Sequence, residues 1–407
     1  MKIAIIGSGI AGLASAYFLR EHECEVYEAK PFMSLAGHGM SLENGKIIDI
    51  PLRVIHPEYY PQLFSLCDEL KISLRKLEHS GSFSLSNRHD KFEYFNISLF
   101  KKRFNFIKPR LSYFKLGASF MRFYYLCHKY KNDSSYDMIS FGDFLETHKV
   151  SSKLAKLVLY PLLSSICTCD YEELDRFPSR VLLEMMSMIA GPVPMERFYA
   201  GTHDIENALS SHLGKLHLES KVDKIIVDRD GANLVIDGVT RKYDHIVIGT
   251  EAHVIKEFLE VNEHTEHILE DLKVVPYKTT DTIIETVAGD HDQILNEKSL
   301  HYLEHPSGGQ AQASMWLNKV EPHLLLNEAT MQTWNPYGKS DRELKRSSLN
   351  RALMTVDSYQ AVKRIQKFEH SAFSFAGSYL AQGVPLLEGG VESARRIKER
   401  LEMRKNR

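Results

Sequence analysis

The residues best placed to do chemistry stand at the start of the chain, in Gly7-Ser8-Gly9-Ile10-Ala11-Gly12. Glycines in this spacing serve a dinucleotide. Gly7 permits a tight turn, Gly9 lets the backbone approach a pyrophosphate, and Gly12 allows a helix to pack closely on a strand; free N–H groups at the helix start then face the phosphates. Glu28, heading Glu28-Ala29-Lys30, follows Gly12 by 16 residues. That is near the offset of roughly 20 at which a carboxylate accepts hydrogen bonds from an adenosine ribose. The same carboxylate would repel a 2′-phosphate, which disfavours NADP and leaves FAD and NAD.

Such a site needs a strand before it and a helix after it. Lys2-Ile3-Ala4-Ile5-Ile6 is short, apolar and β-branched, the pattern of a fully buried parallel strand. An amphipathic helix is expected over Leu13 to Arg20, and a second strand, Glu25-Val26-Tyr27, leads into Glu28.

Two further segments separate FAD from NAD. Gly37-His38 lies nine residues beyond Glu28, where an NAD enzyme would be starting its next helix. Near the end of the chain, Phe375-Ala376-Gly377-Ser378-Tyr379 is followed by Glu388-Gly389-Gly390-Val391-Glu392-Ser393-Ala394 and a closing helix. Here the sequence resembles the FAD-dependent amine oxidase and phytoene desaturase superfamily, and is closest to a bacterial branch of amine-oxidase-like proteins without an assigned substrate. The resemblance runs along essentially the whole chain. Leu218 to Ile225 looks like the segment in which a valine backbone, here Val222, contacts adenine, and Tyr243 to Thr250 like its returning strand. Tyr199-Ala200-Gly201-Thr202-His203 is similar to the short glycine motif before it.

The resemblance implies that Thr250, Gly377, Ser378 and the Glu388-Gly389-Gly390 turn meet the cofactor, the turn presenting a helix N-terminus to the flavin pyrimidine edge. It also implies that Asp49 to Pro61 borders the flavin ring, where Arg53 and His56 are the polar candidates for an electrophile or a proton-transfer group. Arg53 could equally pair with a structural carboxylate, and His56 lies in a proline-rich turn. Three departures stand out: Ala36 replaces the first glycine of a pair, Pro51 replaces a glycine after Asp49, and Ser378 stands where many relatives carry an acid. A serine hydroxyl can still bond a ribityl oxygen, with less charge assistance.

The rest of the sequence excludes as much as it suggests. No second GxGxxG and no C-x-x-C occur, so there is no paired nicotinamide domain or dithiol relay. Oxidase, dehydrogenase or isomerase chemistry is left, the reduced flavin being reoxidised by oxygen or another diffusing acceptor, or returning its hydride to the substrate. A flavin-binding partner protein without turnover is the alternative from another class. The histidines form no HExxH and no close Cys/His set, so no metal is expected. Lys and Arg number 51 against 53 Asp and Glu, which gives no pull toward nucleic acid. Five scattered cysteines fit a reducing, cytoplasmic setting rather than a disulfide framework.

Tyr94 to Asn132 carries nine basic residues, no acid, and many aromatics. It reads either as a helical cap with solvated lysines or as a surface touching a membrane or an acidic carrier domain. The methionine-rich run Val181 to Met188 reads as helix, and Trp316, Asn318, Lys319, Trp334 and Tyr359 belong to the segment expected to return over the flavin. The fold expected is α/β with an α+β insertion. A Rossmann-type FAD-binding domain is built from 1–60, 200–255 and 365–407, and a mixed-sheet substrate domain with a helical cap from 61–199 and 256–364. The substrate would be a small or lipid-like organic molecule.

Overall fold

The computed structural model describes residues 1–77, 80–86, 91–99, 102–107, 111–227, 231–288 and 298–405. The apolar opening segment Lys2–Ile6 (β1) is the middle strand of a five-stranded parallel sheet. Its neighbours are Glu23–Tyr27 (β2) on one side and His245–Ile248 on the other, with Lys215–His217 and Phe373–Phe375 at the edges. Alternation is absent from these strands because both faces are covered: Ile3, Ala4 and Ile5 are all fully buried. The helix Ile10–Phe18 (α1) begins one turn before Leu13, where the extended Gly9 provides its cap. Every residue of it is buried, because the C-terminal helix Leu387–Lys405 packs along its outer side.

A second sheet of eight strands runs in the order 343–352, 277–286, 330–334, 311–316, 300–304, 81–84, 91–99 and 102–107. It is mixed: 300–304 and 81–84 pair in parallel, and the other described pairs are antiparallel. The largest apolar core lies between this sheet and a group of helices that includes Leu111–Tyr130, Phe141–Thr147 and Ser179–Ile189. Met185 and Met186 are buried there, so the methionine run packs that core. Ser140 caps its helix by accepting the N–H of Asp143.

The basic aromatic stretch falls partly outside the described side chains, which omit 95–99 and 102–112. In its helical part Tyr113, Leu116, Phe123, Leu126 and Cys127 are buried, whereas Phe114, Met121 and Tyr125 are exposed. No helix among the described residues is long and apolar enough to cross a membrane. All five cysteines are free and buried.

Candidate functional site

The sheet's order places a crevice at the carboxyl ends of its strands, where the connection from β1 turns one way to β2 and the neighbour on the other side comes from much later in the chain. Gly7 opens it with φ +98°, a left-handed conformation that suits glycine, and donates its N–H to Tyr27 O at 2.7 Å. A Cβ on Gly12 would lie 1.9 Å from Gly7 O, so only glycine permits this approach of helix to turn. A Cβ on Gly9 would meet nothing within 4 Å. Tight packing below and open space above are what a bound pyrophosphate requires of these positions. Gly390 adds the second helix: its Cβ would lie 2.7 Å from Ile10 Cγ2.

Glu28 stands at the end of β2, almost fully buried. Oε2 accepts from Ser8 N at 3.0 Å, Ser8 Oγ at 2.6 Å and Ser34 Oγ at 2.9 Å, and Oε1 from Lys30 N at 3.0 Å. Burial works to raise its carboxyl pKa, but these bonds outweigh it and hold the group below the ordinary range. The backbone from Glu28 to Lys30 accepts N–H bonds from Ser220 (2.8 Å) and Glu219 (3.0 Å), two residues before the buried Val222. Thr250, just past its strand, has a buried hydroxyl without a partner among the described residues, and its Cγ2 would lie 3.5 Å from a Cβ on Gly7.

Lys30 Nζ lies 3.3 Å from His38 Nε2, and Lys345 Nζ donates to Gly39 O at 2.7 Å. Burial, then the charges of Lys30, Arg53 and Lys345, push the His38 pKa down. Gly37 is needed for the turn itself, since a Cβ there would lie 2.1 Å from Phe32 Cδ2. Gly377 donates to Ser393 Oγ at 3.0 Å, and Ser378 begins the short turn Ser378–Leu380. Glu388 is otherwise engaged: its two oxygens accept the N–H groups of Gln62 (2.8 Å) and Leu63 (2.9 Å), capping the helix Pro61–Glu69. Its carboxylate is therefore spent on that helix.

The segment expected beside the flavin ring is anchored at both ends. Buried Asp49 accepts the N–H and hydroxyl of Thr202 at 2.8 and 2.9 Å and lies 3.3 Å from Arg197, so the two motifs that sequence reading treated separately are one unit. Arg197, 1% exposed, also contacts Glu321 at 2.6 Å, and Glu321 pairs with Arg75. Gln332 clamps the chain from the second sheet, accepting from Leu52 N at 2.6 Å and donating to Asp49 O at 2.7 Å. Pro51 follows a cis peptide bond.

Arg53 is half-buried; no hydrogen bond or ion pair holds its guanidinium among the described residues, and the charges of Asp49 and Glu206 act on it. His56 is 2% exposed, and its carbonyl oxygen accepts the N–H groups of Tyr59 and Tyr60. The two candidates thus have different surroundings, one half-buried and one packed in the turn.

Three of the later group, Trp316, Asn318 and Tyr359, have protein partners of their own. Asn318 ties a turn, accepting Thr330 N and donating to Glu328 O; Trp316 packs with Ala329, Val287 and Met331; Tyr359 accepts a hydrogen bond from Arg180 at 2.6 Å. Sequence reading missed Arg197, Gln332, Glu206 and Arg351. Arg351 alone had a visible signal: in the strand 343–352 Lys345, Ser347, Leu349 and Arg351 alternate with the exposed Leu344, Ser348 and Asn350.

Comparisons with known proteins agree with this architecture. Residues 5–70 match the NAD(P)-binding Rossmann-like domain model. The zeta-carotene desaturase of Synechocystis sp. is 37% identical over 87 residues, which is 20% of this chain and 18% of that protein. The cyclohexylamine oxidase structure from Brevibacterium oxydans IH-35A superposes with a TM-score of 0.70 at 13% identity, covering 98% of this chain and 99% of that one. A conjugated-linoleic-acid-producing fatty acid isomerase from P. acnes gives 0.68 at 12% identity, covering 98% of each chain.

Proposed function

From a chain with the fold of the FAD-dependent amine oxidase and desaturase superfamily, we propose that this protein is an FAD-dependent oxidoreductase acting on a C–N or C–C bond of a small or lipid-like organic substrate. The observation that carries the reading is the cradle at α1: no Cβ fits at Gly12, open space lies over Gly9, and a buried Thr250 hydroxyl has no partner among the described residues.

In this reading the α1 N–H groups at Ile10 and Ala11 bind the pyrophosphate, with Gly7, Ser8 and Gly9 beneath it. Lys30 adds positive charge at the rim, and His38 a neutral ring whose nitrogen can donate. Glu28 orients the adenosine ribose through the lone pairs left on Oε1, and the Val222 backbone meets adenine. Ser378 and Thr250 offer hydroxyls to the ribityl chain, while Gly377 keeps the backbone close. The start of the helix Leu387–Lys405, at Gly389 and Gly390, faces its positive end toward the ring. When bound, FAD supplies the acceptor of a hydride pair. Arg53 and the aromatic walls of Tyr59 and Tyr60 orient the donor and keep water out.

The likeness to a fatty acid isomerase favours a second reading, isomerisation with no net redox change. Anaerobic mixing of the yellow protein with candidate substrates separates the readings. Lasting bleaching of the flavin band marks an oxidoreductase; product without net bleaching marks an isomerase. Failure with every substrate and acceptor leaves a flavin-binding partner protein, and a purified chain that carries no flavin and binds none overturns the proposal.

A further inference from the structure

The helix Leu111–Tyr130 has one side packed and one side bare. Tyr113, Leu116, Phe123, Leu126 and Cys127 seat its inner side in the main core, and Arg122 pins it by donating to His148 O at 2.7 Å and Lys149 O at 3.2 Å. On the outer side Phe114, Met121 and Tyr125 are 79%, 62% and 63% exposed, with exposed Ala118 among them. Because a helix turns once in about 3.6 residues, positions 114, 118, 121 and 125 form a single stripe. Every other exposed large apolar side chain among the described residues stands alone on its strand, helix or loop. Apolar residues scattered singly need no explanation, whereas a row of them marks a contact surface.

Charge follows the same geometry. Lys115, Arg122 and Lys129 recur at intervals of one heptad, so they line one border of the stripe, and all three are exposed. Among the described residues none has an ion pair: Arg122 meets the two carbonyls, and Lys129 Nζ lies 4.9 Å from the centre of the Tyr130 ring. The helix contains no acid. The charge of Glu58 acts on Tyr124 and His128, which lie toward the opposite border, and Asp133, past the helix end, spends its carboxylate on Ser135 N and Oγ at 3.0 and 2.7 Å.

A second copy of the chain fits this face poorly. Antiparallel pairing about a two-fold axis would set Arg122 against itself and Lys115 against Lys129, like charges along the whole seam. An acidic polypeptide would answer the cations alone and leave Phe114, the most exposed large apolar side chain among the described residues, in water. An anionic bilayer answers both, since phosphates lie above the level at which apolar side chains enter, and long basic side chains reach up to them. We propose that this helix rests on an anionic lipid surface, with Phe114, Met121 and Tyr125 entering the boundary between headgroups and acyl chains and Lys115, Arg122 and Lys129 meeting lipid phosphates. The contact is peripheral, and it does not depend on the FAD reading. Core cap and lipid-facing surface are then two sides of one helix.

The test is co-sedimentation of the purified full chain with vesicles of phosphatidylcholine, alone or mixed with phosphatidylglycerol. Binding is expected to the mixed vesicles only, and it should fall as salt is raised. Phe114→Ser with Met121→Ser, and separately Lys115→Glu with Lys129→Glu, should each weaken binding at least about tenfold. Thermal unfolding should stay as before in both, because all four side chains are exposed. Tyr125→Trp reports depth: its emission should shift to the blue on mixed vesicles and stay unchanged with polyglutamate. The proposal is overturned if mixed vesicles do not bind, if neutral vesicles bind as well, if either double variant binds like the parent chain, if the emission does not move, or if polyglutamate binds where vesicles do not. Self-association that vanishes in the Phe114 and Met121 variant would overturn it too, and would give the face to a second copy. None of these readouts uses flavin, so failure here leaves the FAD reading standing.

Discussion

The nucleotide crevice and the segment around Arg53 differ in how far their polar groups are satisfied before any ligand arrives. In the crevice, Glu28 accepts from Ser8, Lys30 and Ser34, and backbone bonds from residues 219 and 220 fix the loop behind it. Arg53 and Arg351, in contrast, are held by no ion pair among the described residues, although the charges of Asp49 and Glu206 act on Arg53. A preformed cradle uses backbone N–H groups and glycines, which need no counter-charge. A side-chain charge does need one, and around Arg53 it comes from acids that form no ion pair with it among the described residues.

The largest expected effect tests the wall between the two regions. Arg197 joins Asp49 to Glu321, all nearly fully buried, so Arg197→Ala leaves Asp49 without its paired cation and Glu321 with Arg75 alone. Breaking a buried pair from one side costs about 3–5 kcal/mol. Chemical denaturation should show a loss of that size, and a loss below about 1 kcal/mol would mean that water replaces Arg197 freely.

Two glycines then separate steric from ligand effects inside the crevice. Gly12→Ala forces a Cβ to within 1.9 Å of Gly7 O and should cost about 3 kcal/mol of stability, with loss of bound flavin. Gly9→Ala meets no protein atom within 4 Å. It should leave the flavin-free protein as stable as before and weaken flavin binding at least tenfold, read by equilibrium dialysis. Equal effects of both substitutions on the flavin-free protein would contradict the open space assigned to Gly9.

A pH experiment addresses the sheet beneath the crevice. His245 is fully buried, with Nδ1 2.9 Å from Ser371 O and Nε2 3.0 Å from Ser374 Oγ, an arrangement that suits the neutral ring. Burial pushes its pKa down to about 4, against 6.5 for the free side chain. The unfolded chain takes up this proton first as pH falls. Stability should therefore decline between about pH 6.5 and pH 4, and His245→Gln should remove that part of the slope in pH-dependent denaturation.

The contrast between the regions also explains what the sequence made legible. The crevice comes from contiguous residues: Gly7 to Gly12, Glu28 and Gly37-His38 each carry their reason in local spacing, and β1 and β2 form where the apolar pattern puts them. Arg53 and His56 were named because resemblance sets the stretch Asp49 to Pro61 beside the flavin ring. Arg351 and Gln332 stand about 280 to 300 residues away in strands whose pairing decides what they face, and pairing is not written in local spacing. The same limit hid the partners of Asn318 and Tyr359, which are Thr330 and Arg180.

Glu388 gives the smallest effect and the finest test of where one region ends. Resemblance set it against the cofactor, whereas its oxygens accept the N–H groups of Gln62 and Leu63, joining the C-terminal helix to the helix that follows Arg53 and His56. Burial raises its pKa, and the two N–H bonds only partly offset this. Glu388→Gln keeps one acceptor, loses the other and relieves the buried charge. The opposing changes should leave a net loss of about 1 kcal/mol, the scale of a helix cap. Flavin affinity should not move. If instead the variant keeps its stability and releases flavin, the carboxylate belongs to the crevice, and the boundary between the two regions shifts to the far side of this helix.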